Sequence, residues 1–185
     1  ESRRVSMHIE SIPILECLES SPALSLAAKK NIKVIKEIPH ELRINADKNK
    51  LIQVFTNLIG NSVKFTNPGG NIRVSAEEKK EDIKISIRDT GIGIRKDYLP
   101  KIFDKFFQVE SHLTRQQGGT GLGLAIIKEI INLHQGTIEV KSKYRKGTSI
   151  IIHLPKQGPV TKQESATHEG AYAPLEKPAT LPDQE

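Results

Sequence analysis

At 185 residues, with 36% hydrophobic content and a formal charge of +6, the chain suits one domain with a sizeable core. Its single Cys17 excludes a disulfide framework and fits a reducing compartment, and no apolar run approaches the roughly 18 residues that cross a bilayer. The basic excess suggests nucleic acid, but no aromatic-lined basic stripe accompanies it, and a polyphosphate ligand explains local positive charge equally well.

In chain order, the pattern begins at Glu1 without a signal-peptide signature, as expected of a piece of a longer protein. An amphipathic helix is predicted near Ile12–Lys30 and a strand near Ile32–Ile38. A second helix runs from about Asp47, a plausible N-cap, to Phe65. Asn67-Pro68-Gly69-Gly70 is a turn, followed by alternating strands at Ile72–Ala76 and Ile83–Arg88. The stretch from Thr90 to Thr120 is rich in charges and glycines. A helix at Leu122–His134 and strands at Thr137–Lys141 and Thr148–Leu154 close the fold. This mixture predicts helices packed on one face of a mixed sheet. From Lys156 to Glu185 the composition is that of a disordered tail, with four of the ten prolines and three lysines against five acids, which leaves residues 1–155 at +8.

The densest signal is Gly118-Gly119-Thr120-Gly121-Leu122-Gly123-Leu124, four glycines running straight into an apolar helix. Glycine lets backbone approach a ligand, and a helix N-terminus offers unpaired N–H groups at the positive end of its dipole, so the pair makes an anion site, most often for phosphate. The plainer alternative is a loop that caps a helix. The dinucleotide pattern G-x-G-x-x-G fails because Leu124 and Ile126 stand where its last glycine belongs. The P-loop pattern fails because Lys146-Gly147-Thr148 has lysine and glycine reversed.

On a helical wheel of residues 47–65, Leu51, Phe55, Leu58, Ile59 and Ser62 form one core-facing arc. Asn57, Asn61 and Lys64, spaced i, i+4 and i+7, form a polar stripe beside it that suits a cation and a phosphate, or simply a solvated face. Asp89-Thr90-Gly91-Ile92-Gly93-Ile94 follows directly on a strand. It fits an ordinary turn. It also fits a carboxylate that accepts a hydrogen bond from the amino group of a base, with glycines that let the ring approach.

NLIGNSVKFT, DTGIGI, KIFDKFF and GGTGLGLAI, in this order, resemble the N box, first glycine box, F box and second glycine box of sensor histidine kinases. The likeness is to their catalytic ATP-binding domain, within the wider GHKL group shared with gyrase, Hsp90 and MutL, and it covers about residues 31–155. It implies an α+β fold, a two-layer sandwich with three main helices on a mixed five-stranded sheet (the Bergerat fold), and ATP held under a mobile lid. It also implies that Asn61 binds magnesium, that Lys64 contacts phosphate and that Asp89 takes the exocyclic amine of adenine. Phe65 stands where many members place an aromatic against the base. Asn57, Gly91, Gly93, Ile94, Gly119, Thr120, Gly121, Leu122, Gly123 and Leu124 complete the nucleotide-contacting positions. The lid spans about Ile94–Gly119 and is anchored by Phe103, Phe106 and Phe107, with Phe106 also placed at the nucleotide. Many members follow the F box with a phosphate-binding arginine; this chain has Gln108, and Arg115 is the candidate substitute.

Hydrolytic relatives carry a glutamate four residues before the magnesium asparagine. Here that position is Asn57, and an amide is no general base, so transfer of phosphate rather than hydrolysis is expected. His40-Glu41-Leu42-Arg43 opens like the family's phosphoacceptor motif but continues Ile44-Asn45-Ala46-Asp47 straight into the N-box helix, so His40 is not read as the acceptor. The resemblance therefore implies that residues 1–30 are a linker and first helix after a dimerisation and phosphoacceptor domain, residues 31–155 the catalytic domain, and residues 156–185 a disordered tail or linker. ATP, Mg2+, that acceptor domain and, indirectly, a response regulator are the implied partners, with no nucleic acid and no membrane contact, in the cytosolic part of a two-component sensor. The rival readings are a regulatory nucleotide-binding module without transferase activity and a GHKL-type ATPase.

Overall fold

The computed structural model describes residues 6–108 and 120–159. Five strands build a mixed sheet in the order β2 (Lys33–Glu37), β4 (Asn71–Glu78), β5 (Asp82–Asp89), β7 (Gly147–Pro155), β6 (Thr137–Lys143). Strands β1 (Ile9–Pro13) and β3 (Arg43–Asp47) pair separately as an antiparallel ribbon. The helices are α1 (Ile14–Glu19), α2 (Ala23–Lys29), α3 (Lys48–Phe65) and α4 (Gly123–Leu133), with a short 3-10 turn at Leu99–Lys101. The fold is α+β, with the helices on one face of the five-stranded mixed sheet.

Only β2 and β4 pair in parallel, which requires a crossover; β3 and α3 supply it. The remaining neighbours are antiparallel, so their alternation is clean. Ile72, Val74 and Ala76 of β4, Ile83, Ile85 and Ile87 of β5, and Ile150, Ile152 and Leu154 of β7 turn to one face and are buried. Arg73, Glu77 and Arg88 turn to the other and are exposed. α3 lies across the buried face on Leu51, Val54, Phe55, Leu58, Ile59 and Val63, and α4 packs beside it on Ile127, Ile130 and Ile131.

The first thirty residues differ from expectation. The single helix predicted near Ile12–Lys30 is a strand and two short helices. Pro22 has no N–H and disfavours helical backbone in the residue before it, so the run breaks at Ser20-Ser21. The Ser21 hydroxyl accepts the Ala23 N–H at 3.3 Å, and the Thr56 hydroxyl of α3 donates to it at 3.2 Å. Ile12, Ile14, Leu15, Cys17, Leu18, Ala23 and Ala27 all enter the same core as α3. The second difference is β3. Residues expected to lead at once into the helix form a strand first, with Ile44 and Ala46 turned inward. At the other end, Lys156–Pro159, assigned to the tail, are tied to the fold: the Asn45 side chain donates to the Lys156 carbonyl at 3.2 Å, and Gly158 is buried.

Candidate nucleotide site

The site is assembled around the end of β5. Asp89 is its last residue and 8% exposed, although carboxylates are seldom buried without partners. Its partners come from three elements. Oδ1 accepts the Gly91 N–H at 2.9 Å and the Thr148 N–H of β7 at 3.2 Å; Oδ2 accepts the Ser62 hydroxyl of α3 at 3.2 Å. Burial pushes the Asp89 carboxyl above the usual carboxylate range, and these three donors pull against it.

The first glycine box is pressed between α3 and the β6–β7 hairpin. Ile92 N–H donates to the Phe65 carbonyl at 3.1 Å, and a Cβ on Gly91 would stand 2.5 Å from that same oxygen. On the other side, Arg145 N–H donates to the Ile92 carbonyl at 2.6 Å. Ile94 N–H donates to Ser142 Oγ at 2.8 Å, and Ser142 Oγ in turn donates to the Gly147 carbonyl at 2.9 Å. Between them Gly93 sits at φ +66°, where a Cβ would collide with the Lys143 carbonyl oxygen. The loop is thus a fixed wall held at minimum thickness.

α3 supplies the adjoining wall. Asp47 caps it, its Oδ1 accepting the Lys50 N–H at 3.1 Å and its Oδ2 the His8 N–H at 3.0 Å. Burial acts to raise the Asp47 carboxyl, but those donors prevail and hold it below the usual range. At the far end, Lys30 Nζ donates to the carbonyls of Val63 and Lys64 at 2.8 and 3.1 Å, where a cation also suits the helix dipole. Ser62, on the predicted arc, is buried, whereas Asn57, Asn61, Lys64 and Phe65 are half-buried along one side of the helix. The Lys64 ammonium stands 5.1 Å from the centre of the Phe65 ring. No acid occurs anywhere in α3.

The second glycine box opens α4, which packs along α3. Leu122 is its N-cap and Leu124 packs against the core, while Thr120 is exposed, its hydroxyl 3.4 Å from the Leu122 N–H. Gly121 sits at φ +70°; its carbonyl oxygen accepts the Phe106 N–H at 3.0 Å, and a Cβ there would meet the Phe106 backbone at 2.7 Å. The F box therefore touches the glycine box through backbone. The Phe106 ring is 72% exposed, so Phe106 does not anchor the lid as expected; Phe103 and Phe107 are half-buried, and Phe107 packs against Tyr98 at 6.0 Å. Arg115 and Gly119 lie outside the described residues, as does the lid beyond Gln108.

Three contributors to the site escaped the sequence reading. Sequence spacing places Ser62 on the core-facing arc of the helix and Thr148 at the start of the last strand, yet Ser62 and Thr148 hold Asp89, while Ser142 holds the glycine box. Thr148 carried a usable signal, because it follows a glycine in a strand that pairs directly with β5. Among the described residues no group of three or more His, Cys, Asp or Glu is placed to hold a metal. Asn61, half-buried on α3, offers a carboxamide oxygen of the kind a divalent ion held mostly by phosphate and water can take from protein.

Comparison with known proteins agrees with this fold. Residues 46–158 match the family described as histidine kinase-, DNA gyrase B-, and HSP90-like ATPase. Sensor protein SrrB of Staphylococcus aureus is 46% identical over 110 residues, which is 60% of this chain and 19% of that protein. The catalytic domain of histidine kinase ThkA superposes with a TM-score of 0.71 at 28% identity, over 82% of this chain and 97% of the domain. The same kinase solved with the response regulator TrrA gives 0.66 at 27%, over 80% and 42%. Full-length ShkA in complex with AMPPNP gives 0.70 at 26%, over 84% and 32%.

Proposed function

The chain belongs to the histidine kinase-, DNA gyrase B-, and HSP90-like ATPases, and from that we propose that it binds Mg-ATP and presents the γ-phosphoryl group to a histidine on a separate dimerisation domain of a two-component sensor. The observation that carries the reading is the Asp89 cluster. A buried carboxylate with its protein partners on Gly91, Thr148 and Ser62 stands beside a glycine wall with no room for side chains, which suits the amine edge of adenine. Asp89 would orient the base, Phe65 would lie against it, and Thr120–Leu124 at the start of α4 would receive the phosphates on backbone N–H groups. Asn61 would hold the metal and Lys64 would reach the phosphates. Magnesium supplies charge neutralisation on the phosphates as the phosphoryl group departs.

Transfer is favoured over hydrolysis because α3 carries no carboxylate that can act as a general base on water; Asn57 stands where one would be needed. Positioning then does the catalytic work. In this reading the response regulator acts downstream and the domain works on the cytosolic side of the sensor.

The experiment pairs Asn61→Asp with the parent chain. With Mg-ATP and an added helical phosphoacceptor domain from the same kinase, the parent should label that domain and none of its own histidines. Asn61→Asp should change the metal dependence of ATP affinity and nearly abolish labelling, with the circular dichroism spectrum unchanged. Unaltered affinity and labelling in Asn61→Asp would remove the assignment.

A further inference from the structure

A buried serine inside a helix ordinarily returns its hydroxyl to the carbonyl one turn back. Ser62 instead sends its hydroxyl to Asp89, 27 residues along the chain, at 3.2 Å. An ionised carboxylate offers about four lone-pair positions. On Asp89 the Gly91 and Thr148 N–H groups occupy both on Oδ1, and Ser62 occupies one of the two on Oδ2. Counting donors among the described residues, a single acceptor position is left.

We infer that Ser62 is the positioning residue for base selection: its hydroxyl fixes Oδ2 as an acceptor with one vacancy, so the site admits a purine presenting an N–H donor at its six-position and turns away one presenting a carbonyl. The inference rests on the reading of Asp89 as the base contact. The three donors come from α3, β7 and the loop after β5, so the carboxylate plane is held from three sides and cannot turn to suit another base. Without the Ser62 hydroxyl, Oδ2 gains a second open position, and the carboxyl, already pushed up by burial, loses one of the donors that oppose that push. It then takes a proton at higher pH, and a protonated oxygen donates to a carbonyl instead of rejecting it.

The test is calorimetric titration of the full chain with ATP and with ITP, whose hypoxanthine replaces the amine by a carbonyl, between pH 5.5 and 8. Because the two ligands share one triphosphate, any disturbance of neighbouring Asn61 cancels in their ratio. Ser62→Ala should lower the ATP-to-ITP preference by roughly tenfold, the low end for one hydrogen bond to a charged acceptor. On acidification its ATP affinity should begin to fall at a higher pH than the parent's. Ser62→Thr, which restores the hydroxyl, should recover both; if the extra methyl prevents folding, the pH profile of Ser62→Ala decides alone. A Ser62→Ala chain with the parent's ratio and profile, while Asp89→Asn loses the preference, would show that Ser62 only fills space and would overturn the inference. If Asp89→Asn also keeps the parent's preference, Asp89 does not read the base, and the underlying reading falls as well.

Discussion

Asp47 joins three parts of the chain at one residue. Its side chain takes the N–H groups of Lys50 and His8, while its own N–H donates to Nε2 of the buried His134 at 3.1 Å, whose Nδ1 lies 2.8 Å from the Ile130 carbonyl. The start of α3 is thereby fixed to the end of α4, so the two walls that carry Asn61 and the second glycine box share an origin. Asp47→Ala leaves two N–H groups unpaired and should cost about 1–2 kcal/mol, the scale of a lost helix cap. Asp47→Asn keeps an acceptor and should cost less. The sign of the pH dependence follows from the depressed carboxyl. Its stabilisation is fully present above the unfolded value of about 4 and disappears as pH falls through the lower folded value. Urea midpoints should therefore separate the parent from Asp47→Asn at pH 7 and converge in acid. A gap that stays constant from pH 7 to pH 3 would show that the charge contributes nothing.

Among the elements, α3 was legible because eighteen residues of strict apolar spacing over a capping Asp47 leave little alternative. The sheet strands were legible from their alternating isoleucines. The β1–α1–α2 segment was not, because its apolar residues also satisfy a helical wheel, and only the local chemistry of Pro22 and the pairing of β1 with β3 decide otherwise. β3 is five residues, too short for periodicity to distinguish strand from helix entry. The clasp between the first glycine box and the β6–β7 hairpin was invisible for another reason: it joins residues about fifty positions apart, through one backbone pair and one serine hydroxyl, and no local pattern marks either. That clasp makes two glycines behave oppositely. Gly60 of α3 has open space where a Cβ would go, so Gly60→Ala should gain up to about 1 kcal/mol of helix propensity. Gly93→Ala should lose about 1–2 kcal/mol from its left-handed backbone alone. The collision with Lys143 should also shift the hairpin that carries Thr148, and ATP affinity should fall further than stability does. Thermal melting and ATP titration of both variants check this; equal effects on melting, or intact ATP binding in Gly93→Ala, would deny the clasp a role in the site.

For the whole molecule, the question is where the folding unit begins. The family match starts at residue 46, yet the core does not. Ile12, Ile14, Leu15 and Leu18 are each at most 9% exposed. Burying such side chains is worth roughly 1.5–3 kcal/mol each, so these four together contribute about 6–12 kcal/mol before the cost of ordering their backbone. A domain's net stability is only about 5–15 kcal/mol. Surface ion pairs cannot compensate: Lys36–Glu19, Lys79–Glu77 and Lys84–Glu77 are about half exposed, and such pairs are typically worth under about 1 kcal/mol. Removing residues 1–30 also deletes Lys30, which closes the C-terminal carbonyls of α3 beside Lys64 and Phe65. A chain beginning at Asn31 should therefore lose cooperative urea unfolding, bind a hydrophobic dye and show no ATP affinity, although every motif of the nucleotide site is still present. If that shortened chain unfolds cooperatively with the parent's midpoint, the N-terminal strand and helices are an attachment to the domain and not part of its core.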